Sequence, residues 1–482
     1  MTRAVSRNLS LSKVALSKVA LSRLAICLAT CAVGLALAAA PPAAAPEPVA
    51  ELTPPTAEQL AEGGTEEGAG EVPEPDLAEQ QLSNAARVRL DRARESVVQI
   101  RGFFGDAGTS TFHGSGFAAN ADGMIITNYH VVAAAVLHPR QYRLEYVTSE
   151  NRTGRLHVYA IDVRNDLAVV KADELKLPPL KLRAQIPRQG DRAYSIGFPL
   201  DLGLTITEGV ANGLVANGLD QRIHYTGAIN SGMSGGPALD AGGAVYGVNA
   251  SVIAGRQLVG FVVPAIHIEP LLARARNPLD KTLSARQARE MVTAQVLAYQ
   301  SALFEAGPQP GATQSVFGFT LPTQIGPAIE CGATGAGESD QRLRTETIFC
   351  AARARVTVQT GLEVGDIRFQ HSVVRTQGLH PLQFVTRVNA IADSYPRSGS
   401  SRDVADYACE EALVSLDGFD ARVRTCTRQY RLFSGLYDFA VTVTSINSTQ
   451  SAVVSQLDLR GVGFEPGMQF VRRYLEAMRW TP

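Results

Sequence analysis

Three short segments, in one order along the chain, carry side chains able to act together on a carbonyl carbon. Thr127-Asn128-Tyr129-His130-Val131-Val132 supplies an imidazole, Asn165-Asp166-Leu167-Ala168-Val169-Val170-Lys171 a carboxylate and Gly232-Met233-Ser234-Gly235-Gly236-Pro237 a hydroxyl. Nucleophilic attack on an amide needs that set: a hydroxyl, a base to take its proton and a carboxylate to orient the base. It also needs backbone N–H groups aimed where the oxyanion develops. Glycines around Ser234 allow a tight turn that presents them, so Gly232 and Ser234 are the expected donors, with the Met233 backbone in the same oxyanion loop. Each residue has a plainer reading. His130 fits a packing histidine at a strand end, Asp166 fits a turn residue with Asp162 as a competitor, and Ser234 fits an ordinary turn serine. Leu-Ala-Val directly after the carboxylate favours Asp166, and of the eight histidines only His130 sits in such a segment. The joint occurrence, in order, is what lifts the set above its parts.

The elements that must position these residues are short strands. Val98, Ile100 and Phe104 alternate, and two apolar runs, Gly116–Ala119 and Met124–Thr127, flank Asn120-Ala121-Asp122-Gly123, which is a hairpin signal. His130 is expected at the end of the second hairpin strand, Asp166 at the start of a strand and Ser234 just before one. Further strand-like runs are Tyr142–Val147, Leu156–Ile161, Leu167–Lys171, Ala193–Ile196, Leu204–Thr207, Ala244–Asn249 and Leu258–Val263. Many short strands with Gly-rich turns point to an all-β barrel or sandwich, closed by a helix over Ile266–Arg276.

On these residues the chain resembles the protease domain of the HtrA/Deg serine peptidases, within the trypsin-like superfamily. Gly114-Ser115-Gly116-Phe117, the three segments above (the third extended to Ala228-Ile229-Asn230-Ser231), Tyr194–Pro199, Val248-Asn249 and Gly260–Pro264 carry the resemblance, over about residues 95 to 275. The order His, Asp, Ser is that of trypsin-like enzymes. The resemblance implies a chymotrypsin-like double β-barrel, with His130 the general base, Asp166 the orienting carboxylate and Ser234 the nucleophile. It also implies a primary pocket whose floor is Ala228, six residues before the nucleophile, with Ile229 beside it and Val248, Asn249 and Ala250 shaping it. No acid stands there, so the expected preference is for small or medium apolar residues rather than Lys or Arg. Two departures stand out. Met233 replaces the Asn or Asp usual in the family, and the chain after residue 275 shows only scraps of a PDZ pattern, Phe317-Gly318-Phe319 and Gly361–Ile367, read here as coincidence.

Composition frames the rest. A net charge of -1 excludes a global basic surface for nucleic acid or anionic lipid. No metal cluster or phosphate loop is visible, so no cofactor is expected. Residues 1–40 hold Lys13, Lys18 and Arg23, then an uncharged apolar run from Leu24 to Ala40: a signal peptide or signal anchor, with cleavage left open by Pro41. Membrane contact is expected only through this segment, if uncleaved. Residues 41–76, rich in Pro, Ala and Glu, read as a disordered linker. The peptidase domain is expected over 77–276, beginning with a helix, and the whole fold as mainly β.

A separate α+β domain is expected over 277–482, with helices at Ala285–Glu305, Val404–Leu413 and Met468–Met478 and strands at Ala354–Val358 and Ala440–Val443. Its cysteines, Cys331, Cys350, Cys409 and Cys426, suit two disulfides in an exported chain. Three pairings are open, the simplest closing the two short loops. The sequence therefore reads as a serine endopeptidase of the bacterial periplasm, envelope or secreted space, acting on unfolded or exposed polypeptide, with a protein partner for the C-terminal domain. Rival readings are a chaperone-like or scaffold protein with an idle protease core, and a maturation protease with one dedicated partner.

Overall fold

The computed structural model describes residues 84–199, 202–215, 221–252, 259–305, 313–323, 329–335, 342–352, 356–359, 361–393 and 403–481. The expected signal and linker segments lie outside the described residues. After helix α1 (Asn84–Arg94), a first closed barrel is built from β1 (Val97–Phe104), β2 (Phe112–Ala118), β3 (Met124–Thr127), β4 (Tyr142–Thr148), β5 (Thr153–Asp162) and β6 (Leu167–Ala172), in the order β1-β2-β3-β6-β5-β4. The expected hairpin is its second and third strands, paired Phe117 to Ile126. A second closed barrel follows, β10-β11-β12-β9-β8-β7. Its strands are β7 (Asp191–Gly197), β8 (Thr205–Leu214), β9 (Ile223–Tyr225), β10 (Pro237–Asp240), β11 (Val245–Val252) and β12 (Gly260–Pro264).

One element differs from the reading above in a way that matters. His130 does not end a strand. It stands in the first turn of α2 (Tyr129–Leu137), directly after β3. Tyr129, Val131, Val132, Ala133 and Ala135 to Leu137 are all buried. A helix covered nearly all round shows no polar stripe, so its period is hidden in the sequence.

Helices α3 (Ile268–Arg274) and α4 (Leu279–Thr282) lead into α5 (Ala285–Glu305). Beyond it lie the strands β13 (Thr313–Val316), β14 (Phe319–Pro322), β15 (Ile329–Gly335), β16 (Leu343–Ala352), β17 (Val356–Gln359), β18 (Leu362–Val364) and β19 (Asp366–Thr376). Helix α6 (Pro381–Asp393) follows, then β20 (Ala408–Leu416), β21 (Phe419–Gln429), β22 (Leu436–Ser445), β23 (Ser451–Gly463), α7 (Phe464–Glu476) and β24 (Arg479–Trp480). A seven-stranded sheet, β15-β16-β19-β23-β22-β21-β20, dominates this half. Alternate residues of its central strands point to opposite faces. Val373 and Val453 pack with Phe470 and Tyr474 of α7, whereas Val374, Ala452 and Val454 pack with Phe384 and Val388 of α6.

Residues Val404–Leu413, expected to be helical, instead enter β20, which pairs with β21 from Ala408 to Leu416. This edge strand is exposed along most of its length, so no alternation marks it in the sequence. Disulfides Cys331–Cys350 and Cys409–Cys426 join residues directly opposed across β15/β16 and β20/β21. Each edge strand is thereby stapled covalently to its neighbour in the sheet.

The two halves share a core. One buried cluster runs from Tyr129, Val132 and Val136 of α2 through Val292, Val296 and Tyr299 of α5 to Val356, Val358 and Val364. Among the described residues, no helix is long and apolar enough to cross a membrane and no three His, Cys, Asp or Glu side chains could hold a metal.

Candidate active site

The Asp166 turn is an unusual piece of backbone. Asp166 has φ of 58°, in the left-handed region where a side chain is disfavoured. The turn is held by its own residues: the Asp162 carboxylate accepts from the Asn165 backbone N–H at 3.1 Å and from Asn165 Nδ2 at 2.9 Å. Asp162 therefore serves the turn, and it is Asp166 that meets the histidine.

What the strained turn achieves is a cap on α2. The first N–H groups of a helix lack intrahelical acceptors. Here the Asp166 carbonyl accepts from the Tyr129 N–H at 3.1 Å and from Asn128 Nδ2 at 2.8 Å, while Asp166 Oδ1 accepts the His130 N–H at 2.9 Å. The other carboxylate oxygen, Oδ2, lies 2.7 Å from His130 Nδ1. A negative side chain at a helix N-terminus is favourable in itself. The same carboxylate thus positions backbone and ring of His130 together. Burial acts to lower the imidazole pKa, but the charge of Asp166 and its hydrogen bond outweigh it, and the net direction is upward.

Ser234 sits across the cleft in the second barrel. Its loop packs against the first barrel so closely that glycine is required: a Cβ on Gly235, at φ 87°, would lie 2.2 Å from the Ser115 carbonyl oxygen. Ser115 is the hub of this contact. Its N–H donates to the Ser234 carbonyl at 2.8 Å, its hydroxyl donates to the Gly232 carbonyl at 2.7 Å and accepts from the Phe198 N–H at 3.0 Å, and its carbonyl accepts from Thr127 Oγ1 at 2.7 Å. Within the loop the Met233 N–H donates to Asn230 O, Gly235 N–H to Asn249 O and Gly236 N–H to Met233 O. The N–H groups of Gly232 and Ser234 donate to no backbone carbonyl among the described residues. Met233, between them in the chain, is fully buried.

The Ser234 hydroxyl is engaged by the backbone of its own barrel. Ser234 Oγ donates to the Ala250 carbonyl at 3.0 Å, and no hydrogen bond joins it to His130 among the described residues. The expected pocket residues divide. Ala228 is exposed and its carbonyl accepts from Thr207 Oγ1; Ile229 packs beside Gly260. Val248 and Asn249 are fully buried behind the site. Asn249 Nδ2 reaches the carbonyls of Ile196 and Met233 at 3.2 and 3.4 Å, so it props the loop from within. Residues 253–258, which follow this wall, lie outside the described residues.

Sequence reading did not find Ser115, Asn128 or Thr127 as working residues, although all three lie in quoted segments. The signal for Ser115 was its flanking glycines: a Cβ on Gly116 would meet Ile125 and Ile100 within 2.9 Å.

Two six-stranded barrels with histidine and aspartate on one and serine on the other define the trypsin-like class of peptidase folds. Residues 114–248 match the family model described as trypsin-like peptidase domain. Among curated proteins, the chain is 33% identical over 207 residues to a Synechocystis sp. protein named as the serine protease HhoB, covering 37% of this chain and 47% of that one. It is 34% identical over 184 residues to a DegP-like periplasmic serine endoprotease of Chlamydia trachomatis, covering 36% and 34%. It is 34% identical over 176 residues to serine protease HTRA1 of Xenopus tropicalis, covering 34% and 36%. The chain thus spans less than half the length of these relatives. A solved HtrA-type protease, AlgWS227A with tripeptide, matches at 26% identity over 40% of this chain and 62% of that one, with a TM-score of 0.35. That superposition is too partial to bear on the fold. Residues 114–248 are thus similar to a trypsin-like peptidase domain, and the relatives named above that match this chain are serine proteases.

Proposed function

We propose that the protein is a serine endopeptidase that cleaves exposed or unfolded polypeptide through an acyl-enzyme on Ser234. The observation that carries this reading is the paired grip of Asp166 on the backbone N–H and ring of His130, 2.9 and 2.7 Å, facing a serine loop with two uncommitted N–H donors. In the reaction, Ser234 Oγ leaves the Ala250 carbonyl for another staggered rotamer and attacks the scissile carbonyl as His130 Nε2 takes its proton. Asp166 holds the imidazolium that forms. Gly232 and Ser234 N–H groups receive the oxyanion. His130 then returns the proton to the leaving amine, and water releases the acyl group by the same base. Catalytic hydrogen bonds often tighten only with substrate present, so the resting rotamer of Ser234 fits an enzyme that waits for its substrate.

With Ala228 and Ile229 near the pocket and no acid there, cleavage is expected after small or medium apolar residues. The apolar leader and the kinship to periplasmic endoproteases support a site of action in the bacterial envelope or beyond it. The test is incubation of the full chain with a reduced, denatured protein and mass spectrometry of the products. New termini made by wild type and not by Ser234→Ala support the reading; identical digests, or none from folded wild type, oppose it.

A further inference from the structure

We propose that the C-terminal half is a working part of the catalytic site: α5 and β17 brace the His130 helix and the Asp166 turn, with Gln295 and Tyr129 as the positioning residues. This rests on the peptidase reading above.

Two contacts, independent of each other, meet the site from behind. The Gln295 side chain of α5 grips the chain just ahead of Asp166 with both ends of its amide: Oε1 accepts from the Val163 N–H at 2.8 Å, and Nε2 donates to the Ile161 carbonyl at 3.3 Å. Val163 is the residue whose carbonyl takes the Asp166 N–H, at 3.4 Å. One turn residue further, the Arg164 guanidinium lies 5.2 Å above the Tyr299 ring, also on α5. The second contact is at the histidine. Tyr129, its neighbour in the chain, is fully buried and donates its hydroxyl to the Val358 carbonyl of β17 at 2.7 Å. Burial pushes that hydroxyl well above its ordinary pKa, so it remains a donor at every working pH.

The brace is itself anchored. Gln300, on the same helix, bonds through its amide to Gly461 and Gly463 of β23 in the seven-stranded sheet. Gln295 and Gln300 are five residues apart, roughly 140° around a helix. One face of α5 therefore holds the Asp166 turn and another holds the large sheet. A non-glycine residue in the left-handed region persists only where its surroundings over-determine it. Placing the carboxylate and the imidazole at 2.7 Å depends on that restraint, and Gln295, 132 positions after Val163, adds to the local Asp162–Asn165 bonds that hold the turn.

The experiment uses the full chain as wild type, Gln295→Leu and Tyr129→Phe. Two readouts are taken: the downfield proton resonance of the His130 Nδ1–H, identified by its loss in Asp166→Asn, and the rate at which a fluorophosphonate labels Ser234. Thermal melts establish that each variant is folded. The brace predicts that folded Gln295→Leu shifts or broadens the resonance and slows labelling roughly tenfold or more. An unchanged resonance and rate in both folded variants overturns it. Should Gln295→Leu fail to fold, Tyr129→Phe, which removes a single oxygen, decides in the same way. If wild type shows the resonance but never labels, the peptidase reading fails, and loss of the resonance in the variants still upholds the brace.

Discussion

The two barrels prepare their catalytic groups differently. In the first, His130 and Asp166 are already joined, and the helix and turn that carry them are sealed by a core that continues into α5, β17 and β18. In the second, the buried clusters behind Ser234 are formed by residues between Leu90 and Ala275, and the nucleophile rests on the Ala250 carbonyl instead of the base. The imidazole and carboxylate are arranged in advance; in the proposed mechanism Ser234 completes the set by a rotation. The arrangement that demands close placement is the one that holds a carboxylate 2.7 Å from an imidazole, and the helix and turn that carry it are where the C-terminal half packs. The nucleophile needs no such support, since moving a hydroxyl between rotamers is cheap.

The largest expected effect comes from deleting the prepared base. His130→Ala should lower kcat by about 10⁴-fold or more, with the fold intact by circular dichroism; a loss below about tenfold would remove His130 from the mechanism. Next is Asp166→Asn, expected to cost about 10³ to 10⁴ in kcat. It also carries a signed pH effect. In wild type Asp166 raises the His130 pKa above its ordinary 6.5 despite burial. The base works when neutral, so activity rises with pH through that raised value. Without the negative charge, burial prevails and the acid limb should move to lower pH; a limb that stays in place would show that the pair is not coupled.

On the serine side, Ser115→Ala should act on the oxyanion loop alone. Removing the hydroxyl from Gly232 O and Phe198 N is expected to reduce kcat by about 10- to 100-fold, with little change in KM. Binding of a peptide aldehyde, which mimics the tetrahedral state, should weaken in parallel. An effect on KM alone would mean that Ser115 shapes the pocket and not the loop.

The smallest effect concerns the far half of the molecule. His371 is fully buried, bonded to Ser455 and to the Pro322 carbonyl, and burial pushes its imidazole down to about 4. The unfolded chain takes up a proton near 6.5, and the folded imidazole refuses it until about 4. Stability should therefore fall as pH drops from 6.5 towards 4. A His371→Phe variant should show a shallower decline in melting temperature over that window, and an equal slope would assign the loss to other groups.

The three chemical segments were legible because each is local: a few consecutive residues fix the turn, the cap or the loop. Most strands of both barrels followed from apolar runs and turn residues for the same reason, but the three-residue strand Ile223–Tyr225 was too short to be read. Helix Tyr129–Leu137 was not legible, since its Val and Ala run is buried on nearly every side. The strand Ala408–Leu416 was misread because, at an exposed edge, its pairing partner and not its own pattern decides its conformation. Gln295 was invisible for a deeper reason. Nothing in a glutamine midway along a helix announces a partner 132 residues earlier.

The most direct test of the account is covalent. The full chain is treated with a fluorophosphonate serine-hydrolase probe and the adduct mapped by peptide mass spectrometry. The account predicts a single adduct on Ser234, absent in Ser234→Ala and reduced by orders of magnitude in His130→Ala. Absence of any adduct on folded wild type, even with denatured protein added to draw Ser234 towards its base, would contradict it.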